Sequence, residues 1–134
     1  MRSSHMLLSI ALCSMQHLAI AQSGQHEAVT TLTSELKANA PPQWLVHVSW
    51  RDGKLLASIT PLPYDEAFKL FYEPSRLSEL MRGLCPNSSD RIWSLVNPDQ
   101  DVILEPTVGG KSGVGLQVNC RQLLKEGGAA STNR

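Results

Sequence analysis

The chain has 134 residues, enough for one domain, with 12 Lys+Arg against 12 Asp+Glu and a formal net charge of zero. Without a basic excess or a block of like charge, neither nucleic acid nor an anionic membrane surface is an expected partner, because both are held by a positive surface. Hydrophobic residues make up 42% of the chain, which suits a small core and argues against wholesale disorder.

Residues 1–21 read as a signal peptide. Arg2 supplies a positive start, "MLLSIALCSM" an apolar stretch of the right length, and "AIA" (Ala19 to Ala21) a small-x-small cleavage site. Gln16 and His17 interrupt the apolar run, so the roughly 20 unbroken apolar residues of a spanning helix are not there. An alternative is an expression remnant at "MRSSHM" ahead of a native start, which leaves the segment secretory in character. "IALC" (Ile10 to Cys13) also has the outline of a lipoprotein box, but Leu12 stands where a small residue is usual. Membrane attachment is therefore expected only if Cys13 is lipidated. Export leaves Cys85 and Cys120, and two thiols in an oxidising compartment are expected to form one disulfide, closing a loop whose constraint contributes about 4 kcal/mol. The rival readings are a metal site, for which His26 and His47 offer no ligand spacing, and a nucleophilic thiol, for which no low-pKa setting is visible.

The first predicted element is a helix from about Glu27 to Ala38, with Val29, Leu32 and Leu36 on one stripe and Pro41-Pro42 ending it. In "WLVHVSWRDGKLLASIT", Trp44, Val46, Val48 and Trp50 alternate with Leu45, His47 and Ser49, and Asp52-Gly53 is the pair favoured in a two-residue type I′ turn. The implied register sets Trp50 against Leu55, Val48 against Ala57 and Val46 against Ile59, all apolar and all on one face. "PYDEAFKLFYEPSRLSELMRGLCP" is helical in two pieces. Asp65 and Glu66 favour the first start and Pro74 the second, while Leu77, Leu80, Met81 and Leu84 form a helical stripe ended by Pro86.

Residues 88–96 fit a short helix or, less well, a strand. "DVILEPT" and "VGLQVNC" then read as two strands around "VGGKSG", with Val114, Leu116, Val118 and Cys120 facing inward. On this reading the Cys85 thiol, at the end of a core-facing helix, staples helix to sheet. The tail 125–134 is polar and Gly/Ala-rich and is expected to be disordered. The predicted fold is α+β over residues 22–124, in the order α-β-β-α-α-β-β. It is a four-stranded antiparallel sheet of two hairpins, with helices packed on one face and one disulfide.

No motif points to catalysis, a cofactor or a metal. "GGKSG" lacks the earlier glycine of a phosphate loop, Glu105 standing in its place, and joins two strands where such a loop opens a helix. His47, near Ser49 and Ser58, lacks an orienting acid and an oxyanion hole, so a surface histidine is the plainer reading. Asp65-Glu66 suit a helix dipole and Asp99/Asp101 a turn; Trp44, Trp50 and Trp93 read as packing; "NSS" at Asn87 matches a glycosylation sequon. If helices cover one face of the first hairpin, Leu45, His47 and Leu56 point away from the core. That face is either a weakly apolar docking surface or an ordinary solvated sheet face.

From about Glu27 to Leu123 the chain resembles the pilotins of type II secretion systems in its element order and cysteine placement. The stretches that carry the likeness are "WLVHVSWRDGKLLASIT", "LSELMRGLCPNSSDRIWSLV" and "VGLQVNC". The resemblance implies a Cys85–Cys120 disulfide and a non-enzymatic, periplasmic or secreted protein-binding module. Its partner would be a short secretin segment that folds into a helix in a groove. Pilotins are lipoproteins, which "IALC" matches poorly. A second expectation from the same features is a periplasmic immunity protein or inhibitor that neutralises a toxin or cell-wall hydrolase.

Overall fold

The structure is a computed structural model that describes residues 23–108, 111–112 and 115–131. The expected signal peptide and Cys13 lie outside these residues. Helix α1 covers residues 23–39 and buries Ala28, Leu32 and Leu36 along one stripe. Strands β1 (Leu45–Arg51) and β2 (Lys54–Thr60) form the expected hairpin in the expected register, Val46 opposite Ile59, Val48 opposite Ala57 and Trp50 opposite Leu55. Asp52 and Gly53 both have positive φ, 53° and 74°, which is what a type I′ turn demands. Helices α2 (Tyr64–Phe71) and α3 (Pro74–Leu84) follow, with Pro74 in the first turn of α3. The undecided segment resolves into a short helix, α4 (Ile92–Leu95).

The second half of the sheet departs from the expected two hairpins. Strand β3 (Val102–Val108) pairs with β2 in parallel, not antiparallel. The cause is the long connection between them: α2, α3 and α4 carry the chain back along one face to the end where β2 began, as a parallel crossover requires. The remaining strands, β4 (Lys111–Ser112) and β5 (Val118–Asn119), both run antiparallel to β3 on the flank away from β2. The sheet is thus mixed, ordered β1-β2-β3, with the short strands β4 and β5 both pairing with β3.

A single proline explains why the last predicted strand is cut to two residues. Leu104 pairs Val118 and Thr107 pairs Ser112, so five residues of the return, 113–117, answer two on β3, 105–106. Leu55 N–H donates to the Asp101 carbonyl, so the odd-numbered backbone groups of β3 face β2 and the even-numbered ones face the return. Pro106 therefore has its missing N–H on the side where the ladder breaks. Lys111 and Ser112 of "GGKSG" belong to this return, not to a phosphate loop.

Cys120 does not end a strand; it opens a further helix, α5 (Cys120–Ser131). The expectation of a structureless tail from 125 is corrected over residues 125–131, which continue α5; residues 132–134 lie outside the described ones. Cys85, at the C-cap of α3, is bonded to Cys120, so the expected staple exists and ties α3 to the junction of β5 and α5. One core fills the space between the helices and the sheet, built from Leu32, Leu36, Leu55, Ile59, Leu77, Met81, Ile92 and Leu104 among others.

Candidate functional site

Two surfaces could serve a function, and the predicted contacts divide between them. The open face of the sheet carries His47 and Leu56 with Ser49, Ser58 and Glu105. Here the pleat that buries Val48, Ala57 and Leu104 turns their strand neighbours outward. The face is mainly polar. Register places His47 opposite Ser58, and Ser58 beside Glu105. A nucleophilic relay needs the imidazole between hydroxyl and carboxylate, and this row has the hydroxyl in the middle. At one end Thr60 and Thr107 join their hydroxyls at 2.7 Å.

Leu45 belongs elsewhere. It is 58% exposed and lines a depression with Pro41, Pro42 and Trp44. Pro41 and Trp44 also line two further depressions along α3, which both include Leu80. One reaches Leu62 and Leu70 on the α2 side, and the other Gly83 and Leu84 near the end of α3. Sharing Pro41, Trp44 and Leu80, the two make a groove whose lining also includes Lys69, Arg76, Glu66, Glu73 and Glu79. Pro41 ends α1 and turns the chain, so Trp44 is held half-buried beside the groove instead of in the core. On α3 the stripe Leu77, Met81 and Leu84 is buried, while Leu80 sits at its margin and stays 38% exposed. No family model matches the chain, and no curated protein or solved structure does.

The opposite flank of α2 presents three rings at helical spacing, Tyr64, Phe68 and Tyr72. Their centroids lie 6.1 Å apart for the first pair and 5.1 Å for the second, and all three side chains are exposed. Sequence reasoning missed this ladder, although the four-residue spacing was legible. It also missed the groove, which is assembled from the α1–β1 turn, α2 and α3 and has no local signature.

Electrostatic perturbation occurs away from both surfaces, at Glu35 on α1. One carboxylate oxygen accepts the Ile92 N–H at 3.3 Å, and the other is buried without a partner among the described residues. Burial pushes the Glu35 carboxyl above the usual carboxylate range. The Ile92 N–H pulls it down, Asp90 adds a further push upward, and the Arg91 N–H opposes that. This arrangement anchors α4 to α1, assisted by an ion pair between Arg91 and Glu27. It is a structural clamp.

Proposed function

We propose that this protein is a non-enzymatic binding module of pilotin-like character. It would hold an amphipathic helix or peptide of a secretion-system component in the groove centred on Trp44 and Leu80. The observation that carries the reading is that groove itself. It is lined by Trp44, Leu62, Leu70, Leu80 and Leu84 together with charges of both signs, a composition that suits a helix-in-groove interface, which buries an apolar stripe and uses charges to set register. Leu45 extends the apolar lining at one end, while His47 and Leu56 remain on the sheet face. The disulfide supports an exported, oxidising location for the module.

The test is titration of the protein with secretin C-terminal peptides, followed by NMR. Shifts at Trp44, Leu80 and Leu45 are expected, and shifts confined to the sheet face, or none, would overturn the reading. Two variants sharpen it. Leu80→Asp places a charge in the groove and should weaken binding about tenfold or more, since a buried apolar anchor is worth about 1.5–3 kcal/mol. Gly83 has open space where a Cβ would stand. Gly83→Ala should therefore raise stability by about 0.5–1 kcal/mol through helix propensity. Gly83→Phe should fill the groove and block the peptide without unfolding the chain.

A further inference from the structure

Among the described residues, strand β1 is an edge of the sheet, paired on one side only, with β2. Its seven residues, LVHVSWR, pair with β2 without a bulge. Among its residues there is no proline and no lysine, and its one charge, Arg51, is at the end. These are the devices by which proteins ordinarily protect a long edge, and their lack leaves β1 open to strand addition.

The geometry also says which groups are on offer. Across a two-residue hairpin the flanking residues exchange both hydrogen bonds, so Arg51, Ser49, His47 and Leu45 direct their backbone groups at β2. Leu55 N–H points the other way, donating to Asp101 O at 2.9 Å, which confirms that Trp50 opposite Leu55 is a non-hydrogen-bonded pair. Val46, Val48 and Trp50 therefore turn their N–H and C=O groups outward, and among the described residues no bond is made to them.

These three positions are symmetric about Val48. An antiparallel second copy centred there sets Val46 against the partner's Trp50 and Val48 against the partner's Val48, satisfying all six backbone groups of each strand. On the helix side the cross-strand pairs are then apolar. On the open side His47 meets the partner's Ser49, and at the strand ends Leu45 meets the partner's Arg51. No like charges oppose one another, and the exposed Leu45 gains cover from an arginine stem.

We infer that β1 pairs with β1 of a second copy of this chain about Val48, in a two-fold dimer that joins the two sheets into one. The contact is edge-on and falls short of the roughly 1,200–2,000 Å² of a stable interface, so association is weak and concentration-dependent. The pairing uses the sheet edge and meets the proposed peptide site only at Leu45, while Trp44 and Leu80 stay outside it, so dimerisation without added peptide tests it separately from the proposed peptide binding.

Analytical ultracentrifugation over a wide concentration range should show a monomer–dimer equilibrium. The double variant His47→Lys/Ser49→Lys brings the new lysines opposite one another twice across the two-fold axis and should weaken dimerisation about tenfold. Mixing it with His47→Glu/Ser49→Glu should restore dimers as heterodimers. Hydrogen exchange on the unaltered protein gives a readout that needs no variant. The amides of Val46, Val48 and Trp50 should become protected as concentration rises, while those of His47, Ser49 and Arg51 stay protected throughout. A monomer at every concentration, a lysine variant that dimerises normally, or protection that arises only when a different protein is added overturns the inference.

Discussion

Glu35 is a carboxylate held where a neutral group would be more comfortable. Its folded pKa is raised above the ordinary value near 4.5, mainly by burial. The folded state therefore binds its proton more tightly than the unfolded chain does. The resulting stability is fully present below the unfolded pKa and is lost as pH rises through the folded one. Glu35→Gln keeps an acceptor for the Ile92 N–H and removes the buried charge. The variant should unfold at a higher temperature than the parent near neutral pH and match it below about pH 4, where the parent is protonated. Thermal unfolding followed at both pH values checks this. A variant less stable at neutral pH would show that the carboxylate's bond to α4 outweighs its burial. Glu35 lies within the predicted first helix, but nothing in its sequence neighbourhood foretells this, because the groups that shift it, Asp90, Arg91 and Ile92, arrive from elsewhere in the chain.

Among the elements, α5 was the least legible. "VGLQVNC" alternates like a strand, yet among its described residues the pairing reaches only Val118–Asn119 before the chain turns into a helix. Contacts from its first turn to a distant loop help hold it there. Arg121 donates to Gln100 O at 2.8 Å and Asn97 O at 3.0 Å, and its guanidinium lies 4.9 Å from the Trp93 ring centre. Trp93 is itself tied down by its indole N–H to Asn87 O at 2.8 Å. Arg121→Ala should cost about 2 kcal/mol in denaturant unfolding, from charged hydrogen bonds and ring stacking in a half-buried setting. Arg121→Lys should recover less than half, because an ammonium cannot reach two carbonyls and stack at once. Full recovery by lysine would mean that charge alone matters there. By contrast the β1–β2 hairpin, α2 and α3 were readable residue by residue, because turn chemistry, first-turn acids or proline and side-chain period act over a few positions.

At the scale of the molecule, one covalent link joins cysteines 35 residues apart and bridges the end of α3 to the start of α5. Its loss should lower the unfolding free energy by about 4 kcal/mol, a large part of the roughly 5–15 kcal/mol typical of a domain. Denaturant unfolding of the Cys85→Ser/Cys120→Ser double variant measures this, and an unchanged midpoint would show that packing alone holds the two ends together. Reduction should also loosen the groove, since Gly83 and Leu84 line it just before Cys85.

The candidate groove shows the limit of reading along the chain. Trp44 and Leu80 each sit in a regular apolar pattern and look like core, and only the docking of α3 beside the α1–β1 turn leaves both at a surface. Taken alone, the order of residues determined the hairpin and its register, the two central helices, the pairing of Cys85 with Cys120 and the apolar face of the core. Each of these follows from a local period or from a count. The parallel placement of β3, the slipped return at Pro106, the helix after Cys120 and the groove were decided by tertiary structure. They depend on which distant backbone groups and side chains meet once the helical crossover has brought the chain back, and free energy of that kind is not written in any short window of sequence.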